Sequence, residues 1–466
     1  MSTATRYFRD LSSLLVWALF AWSLSASAES TPAFFRVAQD QYGNYWLRDP
    51  DGSPFFSTGI NVVTPLGEKE NFTGKYPYHD AWQAKMSLSD WVQQTKARLK
   101  DWGFNSLGGW SDSQIFNHRI PYTQVVGCRA HYGPYGKDNP VSRFNLPVMN
   151  PADYWDPDFE KAASLAAAEA TLGRVEDPML IGYFLDNEVN WGQEHRTAEH
   201  LFDHFLARKE SFARAEIIRE LKEKYGSPDI DLLNKNWHTQ FKSYEEIGPD
   251  PQNTSEAYLA DRSAFLKSHA RKYYSICSRE LRKRDPNHLL MGERTFGVLS
   301  KPEVVEVAGE TQDIISVNYY FYNSLAKVFI ERLEPGAVKD VNWLAEFHRL
   351  SRKPILISEF GFMDFGISPF VFKWSNGQKG RAQDTADFIA RSFAEPYIVG
   401  YHVFEFSDEP LFGRKDTENS HMGLVSTQNE PYPDMISAFQ KQATKISEIE
   451  AQAKLKAPEP LQFPSD

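Results

Sequence analysis

The segment IGYFLDNE at residues 181–188 and the segment ILISEFG at residues 355–361 each carry a glutamate, Glu188 or Glu359, at the end of a short apolar run. Around them, strand-like and helix-like segments alternate along the chain, a pattern typical of a parallel sheet covered by helices. The pattern predicts a closed (β/α)8 barrel of the TIM type, in which both glutamates lie at the carboxyl ends of strands four and seven. The eight predicted strands are residues 55–61, 105–108, 123–127, 180–185, 289–292, 314–318, 354–358 and 400–406.

Two further segments are predicted outside the regular βα units. Residues 34–56 alternate apolar stretches with turn signals at 41–44 and 49–52, which predicts a short N-terminal β-hairpin. The distance between strands four and five is far longer than a simple βα unit needs. The excess, residues 196–256, predicts a helical insertion at the carboxyl-terminal face of the barrel.

The first 28 residues have the features of a secretory signal. Arg6 and Arg9 supply positive charge, residues 11–24 are mostly apolar, and Ala26-Ser27-Ala28 is a small-residue cleavage site. A secreted or periplasmic location is therefore expected, without membrane insertion after cleavage. The expected parts are a signal peptide at 1–28, a catalytic barrel with its hairpin at 29–445, and a charged, proline-containing tail at 446–466.

Charge and motif content disfavour several classes of partner. The formal net charge of −11 disfavours binding to nucleic acid or to an anionic membrane. His200 and His204 have the i, i+4 spacing of helical metal ligands, but the glutamate of an H-E-x-x-H motif is missing, so we expect no metal and no other cofactor. The sequence leaves open whether Cys128 and Cys277 pair, and it leaves open the oligomeric state.

Burying a carboxylate at the end of an apolar strand costs free energy. Such a residue is therefore expected to be paired with a positive charge or to have a function. A structural ion pair would explain one such residue. Two of them, on strands four and seven of one barrel, favour a pair of catalytic carboxylates. Cleavage of a glycosidic bond requires such a pair, since one carboxylic acid protonates the leaving oxygen while a carboxylate attacks the anomeric carbon. When about 5–5.5 Å separates the two groups, the anomeric configuration is retained.

Longer motifs resemble clan A glycoside hydrolases, closest to their β-agarase and β-galactosidase branch. Residues 182–192 resemble the agarase acid/base segment, residues 225–237 an insertion of the galactosidase branch, and residues 400–425 the agarase strand-eight segment. The resemblance implies a retaining enzyme that cleaves β-linked, agarose-like oligo- or polysaccharides, with Glu188 as the acid/base and Glu359 as the nucleophile. One position departs from the agarase pattern, because Val403 stands where the relatives usually have tryptophan.

The same resemblance suggests further residues of the cleft. Asn187 would bind the 2-hydroxyl of the reacting sugar. A phenol at the end of strand six would contact the nucleophile; Tyr319 is favoured, with Tyr320 as the alternative because adjacent strand residues face opposite sides. The remaining candidates for substrate contact are Asn61, Trp110, Trp191, Glu293, His402 and Phe404.

Several of these candidates can also be explained by a purely structural role. Trp191 is equally explained by core packing, Glu293 by an ion pair with Arg294, and His402 by a contact with Glu405. For the whole chain, the alternatives are an exo-β-galactosidase or β-glucanase of the same clan, or a non-catalytic carbohydrate-binding barrel, which the presence of both glutamates disfavours.

Overall fold

The computed structural model describes residues 34–116, 119–132, 151–194, 197–320, 343–366, 374–415 and 417–456. The expected signal peptide and residues 457–466 of the expected tail lie outside these ranges. The strands are β1 (Arg36–Gln39), β2 (Tyr45–Arg48), β3 (Pro54–Phe55), β4 (Ser57–Ile60), β5 (Ser106–Leu107), β6 (Tyr122–Val125), β7 (Leu180–Phe184), β8 (Gly192–Glu194), β9 (Thr197–His200), β10 (Leu289–Leu290), β11 (Thr295–Phe296), β12 (Ile315–Asn318), β13 (Ile355–Phe360) and β14 (Ile398–Val403). The helices are α1 (Pro77–Gln83), α2 (Leu88–Asp101), α3 (Pro157–Thr171), α4 (Leu201–Leu206), α5 (Phe212–Tyr225), α6 (Asp231–Trp237), α7 (Glu256–Arg282), α8 (Pro302–Ala308), α9 (Trp343–Ser351), α10 (Gly377–Phe393) and α11 (Pro433–Lys456).

The predicted barrel is confirmed. Parallel strands follow one another in the order β10-β7-β6-β5-β4-β14-β13-β12-β11. The strands at the two ends of this order, β10 and β11, are the two halves of strand five, which is interrupted at residues 291–294. Strand six joins the first half, because Asp313 N–H donates to the Leu290 carbonyl over 2.8 Å, and this contact closes the ring.

The predicted N-terminal hairpin is a three-stranded antiparallel sheet, in the order β1-β2-β3. The chain turns again at residues 49–52 and forms a third strand, β3. Residue 55 of this strand was predicted to belong to strand one of the barrel. Phe35 and Leu47 from this sheet are buried with inward residues of the barrel, among them Ile181 and Leu356. The small sheet therefore packs on the barrel core, on the side opposite the carboxyl ends of the strands.

The predicted helical insertion after strand four is also confirmed. It contains the β8–β9 ribbon and helices α4, α5 and α6, and it packs on the 27-residue helix α7. Ring contacts between Trp237 and Tyr258, and between Phe205 and His269, place it on the N-terminal half of that helix. Since a helix that follows a barrel strand begins near the strand's carboxyl end, the insertion lies beside the barrel mouth, next to strand four.

The core of the barrel contains a histidine that sequence analysis had placed in the cleft. His402 is fully buried, its Nε2 lies 2.9 Å from the Ser57 hydroxyl, and burial lowers its pKa to about 3. Gly59 makes room for the ring, because a Cβ there would come within 2.2 Å of the imidazole. His402 is therefore a neutral part of the core, and the expectation that it binds sugar or Glu405 is wrong.

Two other features concern the chain as a whole. Cys128 and Cys277 are free, buried thiols. Among the described residues, every helix is too short or too polar to cross a lipid bilayer.

The contact between Gly59 and His402 predicts an effect on stability. Replacing Gly59 by alanine overpacks the barrel core, so we expect the free energy of unfolding to fall by about 1–3 kcal/mol. Gly248→Ala is the matched control, since its Cβ meets nothing within 4 Å, and its effect is expected to stay within about 0.5 kcal/mol. Thermal and denaturant unfolding of both variants measure this difference, and equal stabilities would contradict it.

Candidate active site

The two glutamates singled out by the sequence lie at the same end of the barrel. Glu359 is the penultimate residue of β13 and is 4% exposed, while Glu188 follows β7 by four residues and is half-buried. The backbone at Glu188 has a φ of 46°, which turns the chain sharply after the strand. Both carboxylates therefore belong to the mouth formed by the carboxyl ends of the strands.

A continuous set of hydrogen bonds joins the two carboxylates. The Asn318 amide donates to Glu188 Oε1 over 2.9 Å and to Asn187 Oδ1 over 3.2 Å. The Arg294 guanidinium then donates from Nε to Asn187 Oδ1 over 2.9 Å and from Nη2 to Glu359 Oε1 over 2.5 Å. Three side chains, from the ends of strands four, five and six, thus bring the two glutamates into one site.

Arg294 is the central cation of this network. It is fully buried at the interruption of strand five, where its own φ is 53°. Its guanidinium lies 4.9 Å from the ring centre of Phe184 and 4.4 Å from that of Trp110, so aromatic faces replace part of its hydration. The expected alternative, an ion pair between Arg294 and Glu293, is wrong because Arg294 pairs with Glu359 instead.

The phenol that contacts Glu359 belongs to Tyr320. Its hydroxyl donates to Glu359 Oε2 over 2.5 Å, and the side chain is buried. The ring of Tyr319 instead stacks on Trp343 at 4.5 Å and packs against Phe388, outside the barrel. The preference for Tyr319 was therefore wrong, and the alternative residue takes the inward position.

Glu293 and Trp191 support the loop that carries Glu188. The Glu293 carboxylate accepts hydrogen bonds from Val189 N–H over 3.0 Å and from the Trp191 indole over 3.4 Å, and its carbonyl accepts from Glu188 N–H over 3.1 Å. Trp191 is 4% exposed and stacks on Tyr274. Both residues were expected to touch substrate; burial makes them supporting residues instead.

Of the three other residues predicted to line the cleft, two are buried and one is exposed. Asn61 is fully buried, and its amide donates to the carbonyls of Ser358 and Val403, so it links strands rather than binding substrate. Phe404 is 5% exposed and lies beneath the cleft surface, with its ring centre 6.5 Å from that of Trp110. Trp110 is 44% exposed, with a φ of 59°, and it remains available for contact with a ligand.

Sequence reasoning missed the roles of Arg294 and Asn318 in this network, and it named Tyr320 only as the alternative to Tyr319. Arg294, Asn318 and Tyr320 all lie at the carboxyl end of a barrel strand, the same signal that identified the two glutamates. Applied to every strand, this rule finds Arg294 and Asn318. It does not choose between neighbouring tyrosines.

The described part of the chain contains no group of three or more His, Cys, Asp or Glu side chains arranged to hold a metal ion. His200 accepts a hydrogen bond from Phe202 N–H at the start of α4, and burial lowers the pKa of both His200 and His204. The residues gathered at the mouth are carboxylates, amides, a guanidinium and a phenol. Such a set favours acid–base and nucleophilic chemistry.

Comparison with known proteins gives the class of this chain. A family model of β-galactosidases, glycoside hydrolase family 42, matches residues 159–379. Beta-agarase A of Vibrio sp. (strain JT0107) is 28% identical over 468 residues, covering 88% of this chain and 45% of the relative. Beta-agarase B of the same strain is 29% identical over 366 residues, covering 75% of this chain and 36% of the relative.

Solved structures share the fold. The crystal structure of an agarase, AgWH50C, matches with a TM-score of 0.73 and 23% identity over 90% of this chain and 65% of that chain. The structure of an exo-β-agarase matches with a TM-score of 0.71 and 21% identity over 92% of this chain and 66% of that chain.

These matches show that the chain carries a glycoside hydrolase domain. It is similar to clan A glycoside hydrolases, near the branch that contains agarases and β-galactosidases. The chain spans less than half the length of the two curated agarases that it matches.

The two adjacent tyrosines give a matched test of the site. Tyr320→Phe removes a hydrogen bond to an ionised group, so we expect kcat to fall about tenfold to hundredfold. Tyr319→Phe leaves both carboxylates and their hydrogen bonds unchanged and is expected to keep near-normal activity. Steady-state kinetics of the two variants on an aryl β-glycoside test this, and an equal loss in both would contradict the assignment of Tyr320.

Glu293 predicts a specific pH dependence of stability. Burial raises its pKa to about 7, although hydrogen bonds from Val189 and Trp191 act in the opposite direction. Between its ordinary pKa and about 7, the folded chain holds a proton that the unfolded chain has lost, so stability falls as pH rises through this range. Glu293→Gln has no such titration.

We therefore expect the stability of Glu293→Gln relative to wild type to increase between pH 5 and pH 8, by on the order of 3 kcal/mol at most. Denaturant unfolding of both proteins at the two pH values measures this change. Glu450, whose pKa burial also raises to about 7, titrates in both proteins and cancels in the difference. A relative stability that does not change with pH would contradict the expectation.

Proposed function

We propose that this chain is a retaining glycoside hydrolase that cleaves β-linked, agarose-like galactan by double displacement. Glu188 acts as the general acid/base and Glu359 as the nucleophile. The observation that carries the proposal is the hydrogen-bonded path from Glu188 through Asn318, Asn187 and Arg294 to Glu359, at the mouth of the barrel. An ion pair at the end of one strand would not need this arrangement.

In the first step, the Glu188 carboxylic acid gives its proton to the glycosidic oxygen while a Glu359 oxygen attacks the anomeric carbon. The bond to the leaving sugar breaks, and an ester joins the remaining sugar to Glu359. Arg294 and Tyr320 each donate to a different oxygen of Glu359, which holds the carboxylate in one orientation before the attack. Asn187 is held by Arg294 and Asn318, which also donate to Glu359 and Glu188 respectively, and this position suits contact with the 2-hydroxyl of the sugar.

In the second step, Glu188 accepts a proton from water, and the water oxygen attacks the anomeric carbon. The ester bond breaks, and Glu359 returns to its carboxylate form. Two inversions give net retention of the anomeric configuration. Glu188 changes roles because the negative charge of Glu359 is lost when the ester forms and returns when it breaks.

The proposed substrate rests on the agarases among the relatives and on the exposed ring of Trp110. This ring lies directly above the Arg294 guanidinium, so a sugar stacked on its open side would lie next to the carboxylate pair. An enzyme meets a polysaccharide substrate outside the cytoplasm. The N-terminal signal features agree with such a secreted or periplasmic location. A β-galactosidase that acts on short glycosides is the alternative, which the match to the β-galactosidase family model favours.

The reaction is tested with Glu188→Ala, Glu359→Ala and Glu359→Gln on aryl β-glycosides and on agaro-oligosaccharides. Each variant is expected to lose several orders of magnitude in rate. Azide should partly restore Glu359→Ala and give a product of inverted configuration. With Glu188→Ala, azide should restore hydrolysis of substrates that have good leaving groups and give a retained product.

Glu223→Gln, on the exposed face of α5, is the control and is expected to keep wild-type activity. Circular dichroism checks that each variant folds; Glu359→Gln keeps a hydrogen-bond acceptor for Arg294 if the alanine variant is unstable. Full activity in either the Glu188 or the Glu359 variants would overturn the mechanism. Cleavage of simple galactosides without cleavage of agaro-oligosaccharides would favour the alternative substrate.

A further inference from the structure

Two phenylalanines are exposed together at the edge of the barrel mouth. Phe72, in the loop after strand one, is 86% exposed, and Phe412, in the loop after strand eight, is 58% exposed. Their ring centres are 6.3 Å apart in an edge-to-face arrangement. We call them the outer aromatic pair. Exposed rings in contact with each other are unusual enough on a soluble surface to suggest a ligand.

The two loops that present this pair are joined to each other. Asn71 N–H donates to the Gly413 carbonyl over 2.9 Å, and its side-chain amide donates to the Arg414 carbonyl over 2.7 Å. In the other direction, Phe412 N–H donates to the Glu70 carboxylate over 3.4 Å. The positions of the two rings are therefore fixed relative to each other by backbone contacts.

A series of contacts connects the outer aromatic pair with the catalytic carboxylates. Arg414, two residues after Phe412, lies with its guanidinium 5.4 Å from the ring centre of Phe404. Phe404 in turn contacts Trp110 at 6.5 Å, and Trp110 covers Arg294 at 4.4 Å. A series of side-chain contacts thus links the Glu359 site with the loop that carries Phe412.

Charged groups lie next to the outer aromatic pair. Arg414 forms ion pairs with Glu409 over 3.2 Å and with Glu68 over 3.8 Å, and the side chains of Arg414 and Glu68 remain 17% and 29% exposed. Apolar rings next to a few polar groups suit a sugar, whose C–H face is apolar and whose edges carry hydroxyls. A purely apolar partner would leave these charges without water.

The position of the outer aromatic pair decides which part of a substrate it meets. In a ring of eight strands, strand eight lies opposite strand four, which carries Glu188. The leaving sugar must lie on the Glu188 side, because Glu188 protonates the bond that breaks. The outer aromatic pair therefore lies on the opposite side, where the sugar that becomes attached to Glu359 continues.

We propose that Phe72 and Phe412, with Arg414 and Glu68, form an outer subsite for sugar units on the non-reducing side of the cleaved bond. This inference rests on the proposed function and adds a substrate of several linked sugars on that side. It also assigns a specificity role to loops remote from the reacting atoms.

The test uses aryl β-glycosides that share one leaving group but carry either one galactose or a chain of two to four galactan units. Phe72→Ala and Phe412→Ala are each expected to lower kcat/KM about three- to tenfold for the longer substrates. Hydrolysis of the monosaccharide substrate should not change. Phe212→Ala, a 51% exposed phenylalanine on α5, is the matched control and should affect neither.

An equal loss on short and long substrates, or no loss on either, would overturn the outer subsite while leaving the catalytic proposal intact. If the wild type hydrolyses no glycoside, the proposed function fails and the subsite is judged by binding alone. In that case, affinity electrophoresis in galactan gels should show weaker retardation of the Phe72 and Phe412 variants than of Phe212→Ala. Equal retardation would then overturn it.

Discussion

The buried guanidinium of Arg294 is the interaction on which the site depends. A cation removed from water must be paired and hydrogen-bonded, since a lone buried charge costs several kcal/mol. Arg294 meets this requirement with the Glu359 carboxylate and the Asn187 amide, between the rings of Phe184 and Trp110. Its pairing fixes the ends of strands four, five and seven relative to one another. The same bonds that stabilise the barrel mouth therefore set the spacing of the two carboxylates.

A second layer holds the loop after strand four. Glu293 accepts from the backbone of Val189, and Asp186 accepts from the Tyr273 hydroxyl over 2.9 Å and pairs with Arg129 at 3.3 Å. Burial raises the pKa of Asp186, and the charge of Arg129 opposes that rise. Buried polar groups are tolerated here because each has a partner. They keep Glu188 in a backbone conformation that an isolated loop would rarely adopt.

The residues proposed for catalysis and those proposed for substrate recognition occupy different parts of the barrel mouth. The carboxylates and their partners come from strand ends, where the backbone is held by the sheet. The exposed rings come from the loops after strands one, two and eight, which can vary without disturbing the strands. The chain matches two agarases over most of its own length. The matched region is less than half of each agarase.

The sequence by itself determined the barrel, its strand order and the placement of Glu188 and Glu359 at one end, because apolar periodicity and strand ends are local signals. Tertiary structure decided which neighbouring side chains face the site. Strand six shifts its register against strand seven between Val317 and Asn318, and Trp110, Glu188 and Arg294 all have positive φ. Simple alternation fails at such irregularities. For that reason Tyr320 rather than Tyr319 contacts Glu359. Four other predicted cleft residues are buried behind the site: Asn61, Trp191, Glu293 and His402. The orientation of a side chain at a strand end depends on contacts between strands, which a local sequence pattern does not contain.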